Sequence, residues 1–92
     1  MRVELDNGFA LLTINEDEVI IDNIEVFQKR KGTGKKLIEM IKNIAYDLSL
    51  PITLYAYPQD DSISNEDLRT FYYSCNFELH CDDSDYNYFI YA

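Results

Sequence analysis

The feature that most restricts the fold is a strand, a glycine-containing loop, a helix and a second strand in the middle of the chain. Residues 19–26 are mostly β-branched and predict a strand. Apolar residues recur at helical spacing over residues 34–48. The apolar run 52–57 is typical of a strand covered on both faces. Because strands joined through a helix are parallel with a right-handed crossover, this unit requires a sheet with a helix packed on it.

The segments that flank this unit add antiparallel strands. A short alternating segment at residues 3–5 and a mostly apolar segment at residues 9–14 surround Asp6-Asn7-Gly8. This turn signal predicts a hairpin, because Asn and Gly tolerate positive φ. A polar turn at residues 15–18 leads into the strand at 19–26, and the aromatic stretch 86–91 predicts the last strand.

A second helix is predicted after Ser64, which can cap it because Asp67 lies three residues later. This helix carries Leu68, Phe71 and Tyr72 on one side. Together the segments predict an α+β fold, a mixed sheet of five strands with two helices packed on it. We expect a single domain of residues 1–92, because this length leaves no room for a second core.

The charge balance excludes several classes of partner. The chain has 17 acidic and 8 basic residues, a formal net charge of -9. This charge argues against direct binding of nucleic acid or of anionic membranes. Apolar runs are too short to cross a membrane, and the first six residues lack the apolar core of a signal peptide. We therefore expect a cytoplasmic protein.

Two cysteines and the single histidine suggest a metal site only at first sight. Cys75, His80 and Cys81 would supply three ligands, with no Cys-x-x-Cys pair and no fourth partner nearby. We therefore expect no bound metal, and we expect both thiols to be reduced in a chain that is not secreted.

The loop between the third strand and the first helix is strongly basic. Five of the eight basic residues lie within eight positions: Lys29, Arg30, Lys31, Lys35 and Lys36. Gly32 and Gly34 let the backbone approach a ligand closely. A helix N-terminus adds free N–H groups and the positive end of its dipole, so the loop predicts a phosphate site.

Two common phosphate motifs do not fit this loop. The Walker A pattern requires a glycine where Lys29 stands, and the dinucleotide fingerprint requires one where Leu37 stands. A basic-x-x-Gly-x-Gly loop after a strand is what remains.

The loop resembles motif A of the Gcn5-related N-acetyltransferase (GNAT) superfamily. That motif reads Arg/Gln-x-x-Gly-x-Gly/Ala and holds the pyrophosphate of acetyl-coenzyme A (acetyl-CoA). Here it reads Lys29-Arg30-Lys31-Gly32-Thr33-Gly34, with Lys29 in place of the usual Arg or Gln. Asn65, Tyr72 and the pair Asn76-Phe77 resemble the family's Asn, Tyr and Gly-Phe, and Asn76 tolerates the left-handed backbone that glycine would adopt.

This resemblance covers nearly the whole chain and implies the GNAT fold. Such a fold has a mixed, mostly antiparallel sheet with two central parallel strands that splay apart, and two helices. The family usually carries a strand and two helices before its second strand, and this sequence lacks them.

A closer resemblance is to the small phage-encoded anti-CRISPR acetyltransferases that act on type V-A nucleases. Residues 54–64, Glu66-Asp67-Leu68, Phe71-Tyr72 and Ile24-Glu25-Val26 carry it. Those proteins acetylate a lysine that reads the short motif beside the DNA target, which removes a contact to DNA. The resemblance implies a protein-lysine N-acetyltransferase with acetyl-CoA as cosubstrate. Its partner would be a basic protein such as a CRISPR nuclease in the bacterial host cytosol.

The resemblance also assigns roles to individual residues. The coenzyme would be bound by backbone or side-chain groups of Asn23, Ile24, Val26, Lys29, Arg30, Lys31, Gly32, Thr33, Gly34, Lys35 and Asn65. Tyr72 would donate a proton to the departing thiolate, because a phenol has a higher pKa than a thiol. Glu18 or Glu25 would accept the proton of the attacking lysine through a water, unless the lysine arrives with a lowered pKa.

The missing helices would leave the acceptor site wide open. An open site suits a folded protein better than a small amine, unless a second copy in a homodimer supplies the wall. Asp60, Asp61, Asp82, Asp83 and Asp85 are expected in loops, where they could steer a basic partner. Two alternatives remain open: an acidic DNA mimic without enzymatic activity, and a small-molecule amine acetyltransferase.

Overall fold

The computed structural model describes residues 1–28, 31–56, 65–82 and 87–92. Within these ranges six strands and two helices follow one another: β1 (Arg2–Leu5), β2 (Gly8–Ile14), β3 (Val19–Val26), α1 (Thr33–Leu48), β4 (Ile52–Ala56), α2 (Asn65–Ser74), β5 (Glu78–Asp82) and β6 (Asn87–Tyr91). The strands form one sheet in the order β1-β2-β3-β4-β6-β5.

The sheet is mixed, as the sequence predicts. β3 and β4 pair in parallel, and every other neighbouring pair of strands is antiparallel. The parallel pair lies in the middle of the sheet because α1 connects its two strands. The predicted fold class, with two central parallel strands in a mostly antiparallel sheet, is confirmed.

One strand was not predicted. β5 contains Glu78, His80 and Asp82 in five residues, a composition too polar for a strand signal. It forms because it is an edge strand that pairs with β6 alone, so its polar side chains can face solvent. Asp82 therefore belongs to a strand and not to a loop, and Asp60, Asp61, Asp83 and Asp85 lie outside the described residues.

The other predicted elements are present, with boundaries within a residue or two where they can be compared. The helix predicted at 34–48 begins at Thr33, and the strand predicted from Val19 begins there. Tyr57, Ser64 and Tyr86, expected near element ends, lie outside the described residues. Asn76 has the predicted left-handed conformation, with φ 68°.

Both helices pack on the same side of the sheet. α1 buries Leu37, Ile38 and Ile41 completely against the first three strands. α2 contributes Tyr72, whose ring lies 5.2 Å from that of Phe89 on β6. Lys42 of α1 ties the helices together, because its Nζ donates a 2.7 Å hydrogen bond to the carbonyl oxygen of Cys75, just after α2.

The opposite side of the sheet is uncovered in the described part of the chain. Apolar side chains on this side are exposed where their neighbours along the same strands are buried. Leu11 is 37% exposed between the buried Ala10 and Leu12, and Tyr55 is 57% exposed between Leu54 and Ala56. This uncovered side of the sheet is called the open face below.

Candidate active site

The two central strands separate halfway along their length. β3 pairs with β4 only at Val19–Ile21, opposite Ile52–Leu54, although β3 continues to Val26. A β-bulge lies at the point of separation: Leu11 and Leu12 of β2 pair with Asn23 and Ile21, so Asp22 is an extra residue. Because a bulge bends its strand, β3 turns away from β4 there and opens a cleft.

The cleft coincides with the residues expected to hold the arm of the coenzyme. Asn23, Ile24 and Val26 all follow the last β3–β4 pair. Ile24 and Val26 pair on their other side with Ala10 and Gly8 of β2. The β4-facing backbone edge of this segment therefore lines the cleft, where an extended ligand could pair with it as an added strand.

The first helix begins at the glycine loop. Gly32 is its N-cap residue and has φ 74° and ψ 10°, a left-handed conformation that glycine adopts without steric cost. The amide of Lys36 donates to the carbonyl oxygen of Gly32 at 3.1 Å, and no side chain of the described residues caps the helix. The earlier amides, Thr33 to Lys35, therefore lack an intrahelical acceptor and form an anion-binding end.

Basic side chains surround this helix end. Lys31 and Lys35 are exposed, so their ammonium groups can reach a bound anion. Lys29 and Arg30, predicted to bind the same phosphates, lie outside the described residues.

Asn7 holds the helix end in place, a role that the sequence did not reveal. Its Nδ2 donates to Thr33 Oγ1 and to the carbonyl oxygen of Gln28, both at 2.8 Å. Its Oδ1 accepts from the amide of Gln28 at 2.9 Å. The hairpin turn predicted at Asp6-Asn7-Gly8 is present, but neither Asn7 nor Gly8 adopts the positive φ that both residues tolerate. The side chain of Asn7 instead links the β1–β2 turn to the phosphate loop.

Gly34 serves packing as well as the loop. A Cβ placed on it would lie 3.1 Å from Cζ of Phe71 and 4.0 Å from Cγ2 of Val26. A Cβ on Gly32 would meet nothing within 4 Å. The second glycine of the loop therefore lets α1 approach α2 closely, whereas the first supplies the unusual backbone conformation.

Tyr72 is a core residue of α2 whose ring packs against Phe89 of β6. It is 8% exposed, and its ring makes edge contacts with Phe71 and Phe77 and a tilted contact with Phe89. Burial, with a smaller contribution from Cys75, raises the pKa of Tyr72 to about 12. Its hydroxyl therefore keeps its proton at any ordinary pH. The neighbouring Tyr73 is 49% exposed, which fits its position 100° around the helix.

The two candidate bases have different surroundings. Glu18 lies just before β3, is half-buried, and accepts a 2.7 Å hydrogen bond at Oε1 from Thr53 Oγ1 of β4. Glu25 is exposed on β3, opposite Phe9 of β2. Glu18 thus has a fixed carboxylate oxygen near the middle of the sheet, whereas Glu25 lies at the surface.

The remaining predicted positions are only partly described. Asn65 is the first residue of α2, as expected, but its side chain lies outside the described part.

Cys75 is a buried free thiol whose pKa is raised by burial. Among the described side chains no group of three potential metal ligands lies together. No helix in the described ranges is both long and apolar enough to span a membrane.

Comparison with solved structures identifies the relatives of this fold. The anti-CRISPR protein AcrVA5 superposes with a TM-score of 0.91 at 51% identity, and the match covers 100% of this chain and 97% of AcrVA5. No protein-family model and no curated protein sequence matches the chain.

Larger acetyltransferases share the fold. PaiA N-acetyltransferase from Thermoplasma acidophilum, solved with coenzyme A, matches with a TM-score of 0.74 at 20% identity over 91% of this chain and 52% of its own. A putative streptothricin acetyltransferase from Bacillus anthracis, solved with acetyl-CoA, matches with a TM-score of 0.74 at 27% identity. This match covers 92% of the present chain and 55% of the streptothricin acetyltransferase. The chain spans about half the length of these two proteins. From its full-length similarity to AcrVA5 and its fold, the chain belongs to the AcrVA5 anti-CRISPR proteins and is an N-acetyltransferase of the GNAT superfamily.

Proposed function

We propose that this chain transfers the acetyl group of acetyl-CoA to a lysine of a type V-A CRISPR nuclease and thereby inactivates it. The observation that carries the proposal is the cleft between β3 and β4, which leads to the uncapped, lysine-flanked N-terminus of α1. The identity to AcrVA5 over the full chain supports the choice of a CRISPR nuclease as target.

Acetyl-CoA fits this arrangement along its whole length. The pyrophosphate would accept hydrogen bonds from the first amides of α1, with Lys31 and Lys35 beside it. The pantetheine arm carries amide groups that can pair with the backbone of β3 beyond its last pair with β4, at Asn23, Ile24 and Val26. The thioester would then lie in the cleft near Tyr72.

The reaction requires three proton transfers. The neutral amine of the lysine attacks the thioester carbonyl, the carbon–sulfur bond breaks, and an amide and a thiolate result. The nitrogen loses its second proton as the amide forms, and this proton is taken up by solvent and restores the phenol of Tyr72. Glu18 accepts the proton that the ammonium must lose before it attacks, directly or through a water. Tyr72 donates its proton to the thiolate of coenzyme A.

Between the two candidate bases, we favour Glu18. Its carboxylate is held by Thr53 at 2.7 Å, so its position is defined before substrate binds. Glu25 is exposed, and a solvated carboxylate would lose more freedom on engaging the substrate.

The open face favours a protein acceptor. Exposed Leu11 and Tyr55 lie on the same side of the sheet as Thr53, so a large surface can approach the Glu18 carboxylate. The net charge of -9 attracts a basic surface, which is what a DNA-binding nuclease presents near its target-reading lysine. Acetylation removes the charge of that lysine and with it a contact to DNA.

Mass spectrometry of a purified type V-A nuclease after incubation with this protein and acetyl-CoA tests the proposal. We expect acetyl-lysine at a residue that contacts the motif beside the target, together with loss of DNA cleavage. Coenzyme A in place of acetyl-CoA is the control and should leave the nuclease active. Loss of cleavage with coenzyme A as well would indicate inhibition by binding and would contradict acetyl transfer.

A further inference from the structure

Thr53 is a buried polar residue in a strand that is otherwise apolar. It is 5% exposed and lies between Ile52 and Leu54, which are also buried. In the parallel register it stands opposite Ile20 of β3, one residue before the last paired position. A buried hydroxyl costs free energy unless it is hydrogen-bonded, so its partners indicate what it is for.

The Thr53 hydroxyl is satisfied by a residue from a distant part of the chain. It donates a 2.7 Å hydrogen bond to Oε1 of Glu18. A threonine hydroxyl has one proton to donate, and here that proton is directed to the carboxylate. Thr53 therefore fixes the position of one oxygen of Glu18.

We propose that Thr53 is a positioning residue that holds the Glu18 carboxylate toward the acceptor lysine. This inference rests on the proposed function, because it gives Glu18 the role of base. One oxygen of Glu18 is occupied by Thr53, which leaves the other for the ammonium of the substrate. A base with a single allowed orientation loses little freedom in the transition state.

The test compares Thr53→Val with Thr53→Ser. Valine has nearly the same shape without the hydroxyl, whereas serine keeps it. With the type V-A nuclease as acceptor, Thr53→Val should lower kcat by about 10-fold and leave the KM for acetyl-CoA unchanged. An effect of this size is typical when a residue that orients a catalytic group is lost. Thr53→Ser should recover most of kcat, because serine keeps the hydroxyl that bonds Glu18.

A matched control exists on β2, which is separated from β4 by β3. Thr13 Oγ1 donates to the carboxylate of Asp22 at 2.6 Å, the same type of pair in an exposed position. Thr13→Val should leave kcat unchanged. Thermal unfolding of every variant shows that the fold is intact.

A double-mutant cycle separates this inference from the proposed function. In a Glu18→Gln background, Thr53→Val should cause no further loss, because there is no base left to position. An equal loss in both backgrounds, or no loss in the Thr53→Val variant alone, would overturn the positioning role. If the unmodified protein acetylates no lysine of the nuclease, the proposed function itself fails.

Discussion

Replacing Tyr72 by phenylalanine separates its role in packing from its proposed role in catalysis. The substitution removes one hydroxyl and leaves the ring among Phe71, Phe77 and Phe89. If Tyr72 supplies the proton to the departing thiolate, kcat should fall by about 100-fold, the lower end of the range for a general acid. The KM for acetyl-CoA should not change, because the hydroxyl acts after binding. Steady-state kinetics with a thiol-detecting reagent measures both constants.

The raised pKa of Tyr72 gives a second, independent readout. The pKa is 10.0 in a model phenol and about 12 in the folded protein. The unfolded chain therefore loses this proton first, and the free energy of unfolding falls as the pH rises from 10 to 12. A shift of two pKa units corresponds to about 3 kcal/mol, of which about 1 kcal/mol is lost by pH 11.

Tyr72→Phe should reduce the alkaline loss by about 1 kcal/mol, whereas Tyr73→Phe, which changes the exposed neighbour, should keep it in full. The raised pKa values of Cys75 and Tyr88 leave a residual loss in all three proteins. Urea unfolding of the three proteins at pH 9 and pH 11 measures the difference. A Tyr72→Phe variant with unchanged kcat would show that Tyr72 is only a core aromatic. An alkaline loss of the same size in that variant would refute the assignment of the raised pKa to burial.

Three further substitutions test the structural parts of the site. Asn7→Ala removes three hydrogen bonds, so it should lower the unfolding free energy by about 2 kcal/mol and raise the KM for acetyl-CoA. Unchanged values of both would contradict the role of Asn7 in holding the loop. Gly34→Ala should leave the unfolding free energy nearly unchanged, because crowding of Phe71 offsets the gain of about 1 kcal/mol in helix propensity. A gain of the full ~1 kcal/mol in urea unfolding would contradict the close packing. Lys42→Met should lower the unfolding free energy by about 1 kcal/mol, because Lys42 donates a hydrogen bond to the carbonyl oxygen of Cys75. It should leave kcat unchanged, and a changed kcat would place Lys42 in the active site.

The sequence predicts the fold well where local signals agree with the tertiary structure. The parallel strands on either side of α1 follow from apolar patterning and from the geometry of a helical crossover. β5 could not be found in this way, because an edge strand with one partner needs few apolar residues.

The sequence also places the helix end of the site but not the contacts that support it. Gly32 and its lysine neighbours are visible as a motif, since they are close in sequence. Asn7 is 26 residues from Thr33, and Glu18 is 35 residues from Thr53. Hydrogen bonds across such separations depend on the register of the sheet, which a single sequence does not specify to one residue.

The central claim is that acetyl-CoA lies in the β3–β4 cleft with its pyrophosphate on the N-terminus of α1. Titration of isotope-labelled protein with acetyl-CoA, followed through backbone amide chemical shifts, tests it most directly. The account predicts the largest changes at residues 31–35 and 23–26, and none at Tyr46 and Ser49 near the other end of α1. Changes confined to other parts of the chain, or none at millimolar acetyl-CoA, would contradict it.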